Sequence, residues 1–339
     1  MNRLFTILVI SFTLFSCVEI YDFDKDLYKR KVVVESFINP DSVIKVTVAW
    51  NRPANDNSVI EHIDGALVQI EEDGVLIVSG ITANGTLSSN VYPSTGKSYS
   101  LSVKVEGEPE ITAATSIPPR ANATFSIREK MADMQVCSIY EDGAVECIIQ
   151  PARYFRYIAT DISDITLPLE VLAVWIAGYV KYDDGNIAGG DDLYSDSPYL
   201  DQVNSVGDNN DVVLRESAIA YERGFIRIQR PALSLALPFT FTMAVPRGRN
   251  WIINGYGEMI ITYEVDSESS PEQFLLHLTS PSHEYDKYRR SAIKQDLIYG
   301  SLFSSDPVSV YSNIRNGAGI FAGYNTTVVA APINNPIQQ

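Results

Sequence analysis

Apolar and polar residues alternate along two stretches in the first third of the chain. Within residues 43–50, the side chains of Ile44, Val46 and Val48 fall on one face of an extended chain, and residues 98–105 alternate in the same way. Successive side chains of a β-strand point to opposite faces, so a period of two predicts strands with one buried face.

Turn residues separate further apolar runs and set the limits of a first domain. Residues 67–71 and 75–78 flank Glu72-Asp73-Gly74, which predicts a hairpin. The pair Pro118-Pro119 ends the series, because proline lacks the backbone N–H that a sheet requires. Several short strands at this spacing predict an immunoglobulin-like or transthyretin-like β-sandwich over residues 31–119.

The following residues, 120–331, are predicted to form a larger β-rich domain. Two strand-like stretches flank Glu141-Asp142-Gly143 and predict another hairpin. A three-residue loop there would place Cys137 opposite Cys147 and permit a disulfide, whereas a two-residue turn would leave the two cysteines diagonal. Further strands are predicted at residues 171–182, 224–229, 239–244 and 257–265.

Residues 183–211 interrupt this pattern with an acidic segment. It holds eight Asp, four Asn and four Gly and contains no Lys, Arg or Glu, so we predict an exposed insertion that takes no part in the core. Two interpretations of its carboxylates stay open: a solvated loop, or a site for Ca²⁺ or a basic partner, because Ca²⁺ prefers oxygen ligands. Tyr194 and Tyr199 would either stack on a sugar or pack as ordinary aromatics. The aspartates that suggest a site are Asp183, Asp184, Asp191, Asp192 and Asp196.

One helix is predicted near the C-terminus, at about residues 281–297. Ser280-Pro281-Ser282 offers N-cap candidates, and Tyr285 and Tyr288 fall on one face of the helix that follows. Residues 332–339 are polar and are expected to form a disordered tail.

The three histidines of the chain, His62, His277 and His283, form no recognisable metal motif. His283-Glu284 begins like a zinc-protease motif, but Lys287 stands where the second histidine ligand is needed. We therefore interpret His283 as a helix-start residue that makes capping contacts. No nucleophile elbow, Walker loop or dinucleotide fingerprint is found. The sequence thus predicts a protein without cofactor that is not an enzyme, although a dispersed Ser/His/Asp triad is compatible with it.

The first residues have the pattern of a secretory signal. Arg3 precedes a short, mostly apolar run without charges, too short to span a bilayer. Leu14-Phe15-Ser16-Cys17 resembles a bacterial lipobox, which implies cleavage after residues 1–16 and a lipid on Cys17. The acidic tether over residues 17–30 either resembles a surface-export signal or serves as a solvated linker.

The net charge of the chain limits the kinds of partner that it can bind. The chain has 339 residues and a formal net charge of −16, with a pI near 4.6. Such a surface repels phosphate backbones, so we exclude nucleic-acid binding. With Cys17 lipidated, two of the three cysteines remain, an even number that suits an oxidising compartment.

The segment from Tyr311 to Tyr324, with the sequence YSNIRNGAGIFAGY, is the most specific motif in the chain. It resembles the closing motif of a Bacteroidota outer-membrane lipoprotein family catalogued as domain of unknown function 4249. The N-terminal pattern Val32-Val33-Val34-Glu35-Ser36 and the strand start at Gly96 are also similar to that family. Physically, we interpret the motif as a loop in which Gly317, Gly319 and Gly323 permit positive φ, with Ile320, Phe321 and Tyr324 anchoring it in a core.

The resemblance implies a location and a partner. Members of the family accompany TonB-dependent outer-membrane receptors, so we expect a lipid-anchored protein of the outer membrane that assists such a transporter in nutrient capture. The alternatives are an envelope hydrolase of carbohydrate or peptide on the second domain, and a surface adhesin. The resemblance brings no catalytic residues with it.

Overall fold

The computed structural model describes most of the chain between Lys29 and Ile333. The described residues are 29–53, 58–130, 134–139, 145–150, 155–182, 185, 187–189, 194–195, 225–230, 233, 237–246, 252–253, 259–260, 271–299 and 309–333. Among them, no helix is both long and apolar enough to cross a membrane.

Strands dominate the described residues. Those of the first part are Val32–Ile38 (β1), Lys45–Trp50 (β2), Leu67–Glu72 (β3), Val75–Ile81 (β4), Thr86–Ser88 (β5), Ser98–Lys104 (β6) and Ile111–Ser116 (β7). They are followed by Asn122–Lys130 (β8), Met134–Ile139 (β9), Val145–Gln150 (β10), Phe155–Thr166 (β11), Ala173–Tyr182 (β12), Ile187–Gly189 (β13) and Tyr194–Ser195 (β14). The last are Phe225–Gln229 (β15), Phe239–Pro246 (β16), Ile252–Ile253 (β17), Met259–Ile260 (β18), Pro271–Pro281 (β19) and Ala318–Pro332 (β20), with the helix His283–Tyr299 (α1) between β19 and β20.

The first part of the chain forms a β-sandwich. One layer has the strand order β4-β3-β6-β7, and the other continues from β20 through β1 and β2 to β5. Val34, Val48, Val68 and Leu101 are buried in the core between the two layers. The predicted hairpin is present: Asp73 and Gly74 both have positive φ, as a two-residue type I′ turn requires. The mainly β class with an N-terminal sandwich is therefore confirmed.

The later strands form two further sheet portions around a second hydrophobic core. The strands β14-β16-β11-β8 form one sheet, and β13, β12, β15 and β19 belong to the sheet that β20 extends. Ile158 and Ile162 of β11 pack with Ile176 of β12 and with Phe274 and Leu276 of β19 in a second core. Two short strands lie within the predicted acidic insertion: β13 pairs with β12 and β14 pairs with β16. The insertion is thus partly joined to the sheets, although Ile187 remains exposed.

Strand β20 connects the two cores. Its first residues pair in parallel with β1, from Ala318 opposite Val33 to Gly323 opposite Ile38, and its later residues pair antiparallel with β19. Phe321 belongs to the first core. The closing motif was predicted to be a loop, and that prediction is wrong for its second half. Residues 318–323 pair with β1 and residues 324–332 pair with β19, so the second half of the motif is strand whose backbone bonds to these neighbours.

Glycines allow β20 to pass this close to its neighbours. A Cβ added at Gly319, whose φ is +106°, would lie 2.1 Å from the carbonyl oxygen of Val34. At Gly323 it would lie 2.2 Å from the carbonyl oxygen of Ser116. Of the three glycines predicted to need positive φ, only Gly319 has it. Gly317 and Gly323 are required instead by the close approach of backbone to backbone.

Candidate functional site

A cleft lies where the first sandwich meets the start of α1. It has a volume of about 310 Å³ and adjoins a more open depression of about 560 Å³. Ser98, Ser116 and His283 line both. The other residues that matter for the cleft are Lys97, Pro118, Pro119, Glu170, Leu172, Ser282 and Asp286. We call this feature the junction cleft, because its walls come from both parts of the molecule.

The apolar side of the junction cleft is a loop between β11 and β12. Leu169 is 90% exposed and Leu172 is 64% exposed, and Leu172 lines the cleft together with the two prolines of the linker. Arg230 holds this loop in place, because its Nε donates a hydrogen bond to the carbonyl oxygen of Val171 at 2.9 Å. Leu172 therefore presents a large apolar side chain to the cleft from a loop that Arg230 holds in place.

An ion pair lies between the cleft, which Lys97 lines, and the neighbouring depression, which Asp73 lines. Lys97 Nζ is 2.7 Å from Asp73 Oδ2, and both side chains are 45% exposed. The hydrogen bond from Lys97 lowers the pKa of Asp73, and the same bond raises the pKa of Lys97. Both groups therefore keep their charge over a wide pH range, so this pair offers a fixed donor and a fixed acceptor.

The start of α1 is bonded to the first sandwich through Thr115. The Oγ1 of Thr115 donates to Glu284 Oε2 at 3.1 Å, lies 3.2 Å from Ser282 Oγ, and accepts a bond from the Gly323 N–H at 3.0 Å. Ser282 Oγ accepts from the Tyr285 N–H at 3.1 Å and is the N-cap. The capping role predicted for His283 is therefore wrong: His283 is the first residue of the helix, and its side chain is exposed in the cleft.

A buried ion pair fixes α1 to the second set of sheets. Arg227 on β15 donates from Nε and Nη2 to the two carboxylate oxygens of Asp286, at 2.8 and 2.7 Å. The indole Nε1 of Trp175 donates to Asp286 Oδ1 at 2.9 Å, and the Arg289 guanidinium lies 5.1 Å from the centre of the Trp175 ring. Because the Arg227 side chain is only 4% exposed, this pairing compensates charges that are largely removed from water.

Aromatic contacts cover the other side of the helix. Tyr285 and Tyr288 both pack on Phe37 of β1, with ring centres 5.9 and 5.5 Å apart, as their position on one helical face predicts. Tyr285 also packs on Tyr324 of β20. Asn39 donates to the Tyr324 hydroxyl at 2.9 Å, and burial raises the pKa of that hydroxyl. The aromatic and ionic contacts together hold α1 against both parts of the eight-stranded sheet that β20 connects.

The other residues predicted to form sites lie apart from the cleft. The hairpin register places Cys147 opposite Cys137, as the three-residue loop predicted, and the disulfide itself stays a prediction. Cys17 lies outside the described residues, as do Tyr199 and the five aspartates proposed for Ca²⁺. Tyr194 lies in β14. In the part of the chain that the structure describes, no group of three His, Cys, Asp or Glu side chains could hold a metal.

The histidines are separated in the fold. His277 lies on β19 with its ring 4.3 Å from the ring of Tyr179, and burial lowers its pKa. His62 forms an isolated bridge with Ala49 beside β2. Only His283 lines the junction cleft. Sequence patterns did not reveal the cleft, because Lys97, Leu172 and His283 are far apart in the chain. The exposure of Leu172 became apparent only in the structure.

Comparison with known proteins gives one match. The family model described as Domain of unknown function (DUF4249) matches residues 18–329. No curated protein and no solved structure matches the chain.

Proposed function

Because the chain belongs to the DUF4249 family, we propose that it is a lipid-anchored binding protein of the cell envelope. In this proposal Cys17 carries the lipid and the protein assists a TonB-dependent outer-membrane transporter in nutrient capture. The junction cleft is its recognition site, and binding rather than catalysis is its activity.

The observation that carries the proposal is the construction of the junction cleft. Its walls come from the first sandwich, from the loop before β12 and from the start of α1. Strand β20 pairs with β1 and with β19, so the walls are held in one arrangement before any ligand arrives. Preformed clefts of this size between packed layers are common binding sites, since little conformational entropy is lost on binding.

The chemistry of the cleft fits a ligand with an apolar part and hydrogen-bonding groups. Leu172, Pro118 and Pro119 offer apolar contact. Ser98 and the Lys97–Asp73 pair offer donors and acceptors. A few fixed polar groups together with an apolar wall orient a ligand without reacting with it.

The polar side chains around the cleft favour binding over hydrolysis. Asp286 is bonded to Arg227 and Trp175, and Glu284 to Thr115. A general acid or base needs a side chain that is free to exchange a proton with substrate, and these carboxylates are instead engaged in holding the helix. This holds for Asp286 and Glu284; Glu170 and His283 also line the cleft.

Localisation can be tested with Cys17→Ala. We expect the variant to leave the membrane fraction for the soluble fraction of the envelope, because each buried acyl CH₂ contributes roughly 0.8 kcal/mol to membrane binding. The wild-type protein, fractionated in parallel, is the control. A variant that stays in the membrane fraction would show that the anchor lies elsewhere.

The recognition role can be tested at Leu172. We expect Leu172→Glu to retain its melting temperature, since the side chain is 64% exposed, and to lose co-purification with a TonB-dependent receptor from detergent-solubilised outer membranes. Val328→Glu, at an exposed site on β20, is the matched control. Equal recovery of the receptor with both variants, or recovery of none with the wild type, would contradict the proposal.

A further inference from the structure

The two edge strands of the four-stranded sheet in the first sandwich differ in whether another segment covers their backbone. In the order β4-β3-β6-β7, strand β7 is closed by the segment that precedes β20. The N–H of Arg315 donates to the carbonyl oxygen of Thr112 at 2.8 Å. Asn313 and Asn316 donate from their side-chain amides to the carbonyl oxygens of Ala114 and Glu110. The closing motif thus satisfies the backbone groups of this edge.

Strand β4, at the opposite edge, has no such cover within the described residues. It pairs only with β3, and no backbone hydrogen bond joins its outer edge to another described segment. Its sequence VLIVSGI contains neither a charged residue nor proline. Val75, Leu76 and Ile81 are 65%, 51% and 64% exposed.

An uncovered apolar edge is unusual in a stable protein. Exposed edge strands recruit further strands, and proteins prevent this with lysines, prolines, bulges or covering segments. Strand β4 has one of these features, a bulge-like register shift: Ile70 pairs with Val78 and Glu71 with Leu76, so Ile77 has no partner in β3. The remaining residues Val78–Ile81 pair regularly with β3 and leave their outer backbone groups in solvent.

We propose that the β4 edge is a docking site for an extended segment of a partner protein that is apolar and basic. The segment adds a strand to the sheet next to β4. Its backbone bonds to the outer groups of Val78–Ile81, and its apolar side chains pack beside Leu76 and Ile81. Strand addition of this kind needs an edge with unpaired backbone groups, and among the described residues β4 is such an edge.

Charge selects a basic partner. Glu71 lies opposite Leu76 in the neighbouring strand, and Glu72 lies opposite Val75. Strands are about 4.8 Å apart, so a lysine or arginine on the added strand reaches Glu71 across Leu76. The net charge of −16 attracts a basic segment and repels a second copy of this chain.

The probe is a fluorescein-labelled peptide, Lys-Val-Thr-Val-Thr-Val-Lys, titrated with the full mature protein and followed by anisotropy. Its acidic twin, Glu-Val-Thr-Val-Thr-Val-Glu, has the same strand propensity and opposite charge. We expect the basic peptide to bind and the acidic peptide to bind at least tenfold more weakly. Hydrogen exchange at Val75–Ile81 should slow when the basic peptide is bound, because the outer amides then have acceptors.

Variants separate the apolar contribution from the charge. Leu76→Thr with Ile81→Thr keeps β propensity and removes exposed apolar area, and should weaken binding about tenfold, the sum of two cross-strand contacts. Val328→Thr, an exposed strand position outside this sheet, should leave binding unchanged. Glu71→Gln should weaken binding of the basic peptide about threefold, as expected for an exposed ion pair, with no loss of the acidic one.

Several results would overturn the proposal. Absence of binding by the basic peptide, or binding without slower exchange in Val75–Ile81, would exclude strand addition at β4. Equal binding of the two peptides would exclude the basic character of the partner. Sedimentation that shows a dimer abolished by the Leu76→Thr/Ile81→Thr variant would assign the edge to a second copy. None of these measurements depends on the junction cleft or on Cys17.

Discussion

The guanidinium of Arg227 and the carboxylate of Asp286 meet through two parallel hydrogen bonds, which connect strand β15 to the first turn of α1. The side chains are 4% and 15% exposed. A bidentate pair in this setting is a geometric constraint as well as a charge pair, because the planar guanidinium accepts only one orientation of the carboxylate.

Arg227→Ala should destabilise the protein by about 3 kcal/mol or more, since it leaves the Asp286 carboxylate without its partner in a largely dry site. Equilibrium denaturation in urea measures the loss. Arg128→Ala is the matched control. It breaks the exposed pair with Asp161, whose side chains are 51% and 36% exposed, and should cost less than about 1 kcal/mol.

The double variant Arg227→Met with Asp286→Leu removes both charges and should recover most of the stability lost in Arg227→Ala. If Arg227→Ala costs no more than the surface control, the pair is not a significant part of the attachment of α1.

Gly319→Ala should prevent stable folding or cost more than about 3 kcal/mol. It combines a φ of +106° with a Cβ placed 2.1 Å from the Val34 carbonyl oxygen, so the backbone of β1 or β20 must move. Gly107→Ala is the control: its φ is +81° but the space around it is open, and left-handed backbone alone costs roughly 1–2 kcal/mol. Equal melting temperatures of the two variants would contradict the close packing of β20 on β1.

Tyr99→Phe should lower the stability at neutral pH by about 1 kcal/mol, the usual net value of a hydrogen bond. The Tyr99 hydroxyl donates to Glu72, and it also accepts from the Ser94 N–H at 2.6 Å. The bond from Tyr99 lowers the pKa of Glu72, and burial raises the pKa of Tyr99.

The carboxylate of Glu72 determines how the stability difference between wild type and Tyr99→Phe changes with pH. Because the pKa of Glu72 in the folded state lies below its ordinary value of 4.5, its stabilising effect is complete above that value and is lost as pH falls through the folded pKa. The difference between wild type and Tyr99→Phe should therefore shrink in acid. Carboxyl NMR should show the Glu72 pKa rising in the variant, and an unchanged pKa would contradict the bond.

Protonation of His277 should destabilise the fold. Burial lowers its pKa below the ordinary 6.5, so the unfolded chain takes up the proton first as the pH falls. Stability is then complete above about 6.5 and declines from there toward the folded pKa. His277→Phe keeps an aromatic partner for Tyr179 and should flatten the pH dependence of urea midpoints between pH 7.5 and 5. An unaltered slope would assign that dependence to other groups.

A Cys137–Cys147 disulfide is expected in an oxidising compartment, where the proposed export would place the protein. The register sets the two residues directly opposite each other on β9 and β10. The bond would close a short loop and contribute about 2–3 kcal/mol. Thiol labelling of the unfolded, unreduced protein should leave both cysteines unmodified. Labelling of both without reductant would show that the bond is absent.

Local patterns were sufficient where the interactions are local. The β3–β4 turn followed from Asp73-Gly74, since few other residue pairs accept positive φ twice in succession. Counting loop residues left two registers open for Cys137 and Cys147, and the structure has the one that sets them opposite each other. Ser282 was among the candidate caps of α1. Helical spacing placed Tyr285 and Tyr288 on one face, and the structure shows that this face packs on Phe37.

The sequence alone therefore determined the β class, the hairpins, the position of the helix and the acidic character of the surface. These depend on side-chain period, backbone preference and charge, which neighbouring residues carry. The tertiary structure decided the rest. It made the glycine-containing motif a strand between β1 and β19, placed Arg227 against Asp286, and assembled the junction cleft from four separate segments. No local pattern encodes such pairings, because they are selected by the burial and hydrogen bonding of the whole chain at once.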